Sequence, residues 1–153
     1  MSRVLAPVLL AITLMVATDA LPNTAERPAI NATITFFYYK DLETAASFYR
    51  DLVGLNATTD TDWVKIFEVT PGSSIGLVQE GKGFLKAAAD KPAMLSLVTD
   101  DVDAWYQRII DADVPVLREL PPAGSPADKD RAPIRGFIVE DPGGYAVEFF
   151  AWQ

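Results

Sequence analysis

The chain has no histidine and no cysteine, and so lacks the commonest general base, the commonest metal ligand and the thiol nucleophile. Ser/His/Asp catalysis, zinc ribbons and disulfides are excluded by composition. Carboxylates, phenols and hydroxyls remain. One is conspicuously placed: Glu148 is a lone acid in the run YAVEFF at 145–150, otherwise an apolar strand. Such a side chain faces either solvent or a pocket wall. On an apolar wall its charged form is poorly solvated and calls for a hydrogen bond, from Tyr38 or water, and proton-transfer chemistry uses a carboxyl in that setting. The alternative is a scaffold residue held by backbone or by Arg135.

The elements that would position Glu148 come in two copies. The run ITFFYY at 34–39, followed by Lys40 and Asp41, has its counterpart in MLSLVT at 94–99, followed by Asp100 and Asp101. Both runs suit strands. An amphipathic helix follows each, the first burying Leu42, Ala45, Ala46, Tyr49, Leu52 and Val53, the second Val102, Trp105, Tyr106, Ile109 and Ile110. Asp41 and Asp101 stand where N-caps would. Each half closes with two strands joined by a turn, 63–69 and 74–79 through TPGS, 134–140 and 145–150 through DPGG. Segments 57–61 and 114–120 supply a short third strand. The order strand, helix, three strands, met twice, predicts an α+β fold of two βαβββ modules in one chain. Superposing the two hairpins sets Val78 opposite Glu148, or Gln79 after a slip of one residue.

The 153-residue length suits one domain with a real core, and 21 acidic against 13 basic residues give a net charge of −8. That charge argues against nucleic acid as a partner. Residues 1–20 carry Arg3, an apolar run and small residues up to Ala20, the pattern of a secretory signal peptide. The expected organisation is a signal at 1–20, a flexible lead-in at 21–32 and a domain at 33–153, with module one at 33–80, a linker at 81–92 and module two at 93–153. The expected product is exported, periplasmic or secreted, with no stable membrane anchor after cleavage. The segment 119–131, rich in Pro, Gly, Ala and Asp, reads as a loop able to cover something.

The segment KDLETAASFY at 40–49 with LVGL at 52–55, and the closing DPGGYAVE at 141–148, resemble the first helix and last hairpin of the vicinal oxygen chelate superfamily, which includes glyoxalases, bleomycin-resistance proteins and extradiol dioxygenases. The resemblance covers 33–153. It implies curved mixed sheets enclosing a concave pocket, and in metal-dependent members four ligands, from the first and last strand of each module. Carried over by position, these fall on Ile34, Met94, Val78 and Glu148. Only the last can bind a hard cation, so no metal and no other cofactor is expected. The resemblance also allows the modules to pair within one chain or to be exchanged in a homodimer.

Strand parity then gives the pocket wall as Ile34, Phe36, Tyr38, Val78, Met94, Ser96, Val98, Glu148 and Phe150, with Gly76 and Ala146 between them. This is an apolar cup with a phenol, a hydroxyl and one carboxyl. Three functions fit it. The first is metal-free binding of a small, partly hydrophobic molecule; the second is a glyoxalase-like lyase or isomerase with Glu148 as the catalytic residue; the third is an interaction module with a filled cavity.

Overall fold

The computed structural model describes residues 29–125 and 133–153. The signal reading at 1–20, most of the lead-in and part of the 119–131 loop lie outside the described residues. Asn31–Gln153 form one compact unit.

Two four-stranded mixed sheets build this unit. The first holds β1 (Thr33–Tyr39), β2 (Asn56–Asp60), β3 (Val64–Thr70) and β4 (Ser73–Gln79) in the order β1-β4-β3-β2. The second holds β5 (Met94–Val98), β6 (Val116–Arg118), β7 (Ile134–Glu140) and β8 (Ala146–Trp152) in the order β5-β8-β7-β6. In both, the first and last strands pair parallel and the remaining pairs are antiparallel. The parallel pair needs a crossover, which the helix following β1 or β5 begins. The short strands β2 and β6 both shift register against their neighbours, between Ala57 and Thr59 and between Val116 and Arg118. Gly72 and Gly144 turn the two hairpins with φ of 80° and 85°, a region L side chains rarely enter.

The expected duplicated α+β architecture is the one observed. One side of each sheet carries the core: Phe37, Tyr39, Phe67, Ile75 and Leu77 in the first, Phe137, Val139, Val147 and Phe149 in the second, all 3% exposed or less. A side chain of this kind contributes about 1.5–3 kcal/mol on burial. Helix α1 (Leu42–Ser47) lays Leu42, Ala45 and Ala46 into this core, and α2 (Val102–Asp111) lays Val102 and Ile109. Trp105 stacks on Phe149 with ring centroids 5.0 Å apart. Ile110, expected in the core, is 45% exposed. At 100° per residue it lies beyond the buried edge set by Val102 and Ile109.

The helix ends differ from expectation. Asp41 caps α1, accepting from Thr44 N at 3.1 Å, and this holds its carboxyl below the usual range. Asp101 makes no such bond to α2. Helix α1 continues as a π-helical turn, Phe48–Leu52, in which Val53 N donates to Phe48 O at 3.0 Å. The carbonyls at its end are satisfied from the other module: Arg108 on α2 donates to Leu52 O at 2.6 Å and Asp51 O at 3.1 Å.

Candidate functional site

The helix-free face of each sheet carries the side chains that period-two counting turns away from the core. Strand register places these in matched rows. In the second sheet one row runs Ser96 (β5), Glu148 (β8), Ile138 (β7), Arg118 (β6). The same row in the first sheet runs Phe36 (β1), Gly76 (β4), Ile66 (β3), Thr59 (β2). The counterpart of Glu148 is therefore Gly76. The expected match to Val78 is corrected: β4 and β8 correspond with the offset fixed by their first-strand partners, and Val78 matches Phe150, opposite Tyr38 and Val98 respectively. Gln79 is no substitute, because its amide donates to Lys40 O at 2.8 Å.

The two rows solve one packing problem in opposite ways. In the first sheet a methyl group built on Gly76 would overlap the Phe36 ring, so a missing side chain accommodates a large neighbour. In the second, the small Ser96 leaves room for an acid. Ser96 Oγ donates to Glu148 Oε2 at 2.9 Å, and Arg118 Nη2 reaches across the strand between them to donate to Glu148 Oε1 at 2.8 Å. Glu148 is 6% exposed, whereas the Arg118 side chain is 36% exposed. Glu148 thus has a cation beside it, and its partners are neither Tyr38 nor Arg135. Arg135 forms a two-pronged pair with Asp103, both contacts at 2.7 Å, which holds the Asp103 carboxyl below its usual range.

The structure brings Phe36, Tyr38 and Val78 together. They line a hollow of about 460 Å³ with Trp63, Val64, Ile66, Lys82, Gly83 and Phe84. Sequence reasoning missed Val64 and Ile66, whose alternation on β3 was a usable signal, and the linker residues, for which local sequence carries none. Trp63 stands at this hollow, 42% exposed. Ile34, Met94 and Val98 lie on the helix-free faces but are 45%, 48% and 60% exposed. These three side chains are open to solvent. Phe150 is buried beside Gly136 and meets Trp152 edge-on, with centroids 5.1 Å apart. Arg118 was missed because its role depends on cross-strand register through a bulged three-residue strand.

The linker and the 141–144 turn lock the modules together. Tyr145 Oη accepts from Tyr38 N at 3.0 Å and donates to Tyr38 O at 3.3 Å, serving both backbone groups on the edge of β1. The Tyr145 ring stacks on Phe37 at 4.2 Å, and Lys91 from the linker lies over it at 4.6 Å.

The model of the Glyoxalase/Bleomycin resistance protein/Dioxygenase superfamily matches residues 30–149, and the chain belongs to that family. Among solved structures, a lactoylglutathione lyase from Agrobacterium tumefaciens is 22% identical, covering 82% of this chain and 96% of its own, with a TM-score of 0.60. A glyoxalase/bleomycin resistance protein/dioxygenase from Nocardioides is 24% identical over 85% of this chain and 87% of its own, with a TM-score of 0.61. A virulence protein from Salmonella typhimurium is 18% identical over 83% and 100%, with a TM-score of 0.62. These likenesses are likenesses of fold. No curated protein matches the chain.

The residues at the family's ligand positions do not fit a metal ion. Ile34, Met94 and Gly76 offer no side-chain donor to a hard cation, and both oxygens of Glu148 already accept from Ser96 and Arg118. Among the described residues no cluster of three or more acidic, His or Cys side chains could hold one.

Proposed function

We propose that this protein binds a small, partly hydrophobic molecule on the helix-free faces of its sheets, without a metal ion. The observation that carries this reading is the hollow of about 460 Å³, walled by Phe36, Tyr38, Trp63, Ile66 and Val78. Its volume lies within the usual range for small-molecule sites, about 300–1,000 Å³. Phe36 does not plug it, being 45% exposed, which argues against a filled, inert module. The bleomycin-resistance name of the family and of the Nocardioides protein suggests sequestration of such a molecule.

The test is thermal stabilisation by a panel of aromatic and aliphatic metabolites, followed by metal analysis of the purified protein. A ligand that raises the Tm of the native protein and loses its effect in Phe36→Ala, with no stoichiometric metal, supports the reading. Stoichiometric metal with turnover, or no stabilising ligand in the panel, rejects it.

A glyoxalase-like lyase or isomerase remains the second reading, carried by the presence of a single buried acid on this face. It requires Glu148 to give up Ser96 or Arg118 before taking a proton. Turnover of a carbonyl substrate that disappears in Glu148→Gln would establish it. Metal-dependent ring cleavage is disfavoured by the donor set just described.

The exposure of Phe36, Met94, Val98, Trp63 and Phe84 on open faces favours a homodimer in which a second copy covers them. Light scattering of the purified protein reports this directly. The apolar N-terminal run suggests export, which N-terminal sequencing of the product from fractionated cells would test.

A further inference from the structure

In the second sheet, Glu148 and Arg118 form an ion pair within one row of the helix-free face. Glu148 is buried, but Arg118 is only partly so. The guanidinium is held by one nitrogen on Glu148 and keeps an accessible portion on the face that also carries Ile138, Val98, Phe150 and Trp152. A planar fork fixed in this way suits a carboxylate, sulfonate or phosphonate oxygen.

From this geometry we propose that Arg118 is an anion anchor on the helix-free face of the second sheet: the ligand bound there is an amphipathic anion, its acid group on the Arg118 guanidinium and its apolar body over Val98, Phe150 and Trp152. Glu148 and Ser96 act as positioning residues that fix the fork. The carboxylate occupying a metal-ligand position of the family thus orients an organic cation. This inference rests on the binding reading above and adds the chemical class of the ligand. No covalent step is involved.

Two dyes with a common aromatic body separate the two claims: 8-anilinonaphthalene-1-sulfonate, which is anionic, and N-phenyl-1-naphthylamine, which is neutral. The readout is the ratio of their dissociation constants, measured by fluorescence titration of the native protein and its variants. The native protein is expected to prefer the sulfonate. Arg118→Gln is expected to reduce that preference about ten-fold or more, the worth of a charge-assisted hydrogen bond. The double variant R118Q/E148Q, which leaves no uncompensated charge in the row, is expected to show the same loss. Glu148→Gln alone is expected to raise the preference, because the amide oxygen still accepts from Arg118 Nη2 and holds the fork while the competing negative charge is gone. Arg118→Lys keeps the charge without the fork and is expected to fall between native protein and Arg118→Gln.

A double variant that keeps the native ratio, or an E148Q protein that loses as much preference as R118Q, overturns the anchor while leaving apolar binding intact. Failure of both dyes to bind the native protein overturns the anchor and the binding reading together. Near-ultraviolet circular dichroism of each variant identifies any that has lost its fold, and R118K then carries the comparison.

Discussion

The Tyr39 phenol donates to Asp141 Oδ2 at 2.7 Å, across 102 residues of sequence and from one module to the other. Tyr49 Oη donates to the same oxygen at 2.9 Å. The other oxygen, Oδ1, accepts from Gly143 N and Tyr145 N, each at 2.8 Å. Asp141 is 3% exposed and has four donors around it, so its burial is compensated by hydrogen bonds instead of by a cation. The Asp-Pro-Gly-Gly turn is thereby a joint between modules as well as a hairpin connection.

Removing parts of this joint should be graded in cost. Tyr49→Phe deletes one charge-assisted bond and keeps the ring, so a loss of about 1.5–3 kcal/mol is expected. Asp141→Ala strands two buried phenols and two backbone N–H groups, and a loss above about 3 kcal/mol is expected. Urea unfolding of both variants measures the order. Equal losses would show that the bonds of Asp141 to Tyr39, Gly143 and Tyr145 add nothing beyond its bond to Tyr49.

The same cluster sets an alkaline limit on stability. Burial, then the neighbouring Tyr49 and Asp141, pushes the Tyr39 phenol far up, and burial followed by Asp141 does the same for Tyr49. A folded value above the unfolded one means that the unfolded chain releases protons which the folded chain keeps. Their stabilising contribution is complete below about pH 10, the unfolded phenol value, and declines as pH rises above it. The slope should approach about 1.4 kcal/mol per pH unit for each of the two phenols. Urea midpoints between pH 9 and 11 report it, and the double variant Tyr39→Phe/Tyr49→Phe should flatten it. Absorbance at 295 nm should show Tyr39 and Tyr49 ionising only with unfolding.

Phe36 and Gly76 should behave as a coupled pair. Gly76→Ala places a methyl group against the Phe36 ring, and overpacking of this kind costs about 1–3 kcal/mol. Phe36→Ser opens the space, as Ser96 does for Glu148 in the other sheet, and should recover most of that cost. The interaction energy in a double-mutant cycle is expected to exceed about 0.5 kcal/mol. A value near zero would mean that the ring moves aside freely.

The pair between Asp103 and Arg135, whose side chain is 12% exposed, offers a contrast. The Asp103 side chain is 72% exposed, and surface pairs are worth little. Its carboxyl is held below the usual range by Arg135. The stability it contributes is therefore present above the unfolded carboxylate value, about pH 3.9, and lost as pH falls through the depressed folded one. Asp103→Asn should leave the urea midpoint at pH 7 nearly unchanged, whereas Tyr49→Phe should lower it clearly.

Much of the fold was legible because it repeats. The alternation at 34–39 and 94–99, the helical spacing after Asp41 and Asp101, and two glycine turns each specify a local structure that tertiary contacts did not overrule. Parity, counted from the positions that the family resemblance supplied, also set Phe36, Tyr38, Ser96 and Glu148 on one wall, since side chains alternate along any regular strand. The absence of His and Cys limited the chemistry of that face before any fold was known.

Parity, however, says nothing about which residue lies beside which on the next strand. The offset that makes Gly76, and not Val78, the counterpart of Glu148 follows from pairing with β1 and β5, chosen by packing over many contacts. Arg118 reached Glu148 through a register shift in a three-residue strand, and Asp141 met Tyr39 through the docking of two modules. The sequence by itself determined the strands, the faces and the types of group available. Only the tertiary structure decided their partners, because hydrogen bonds and ion pairs form between neighbours in space, and here those neighbours are tens of residues apart along the chain.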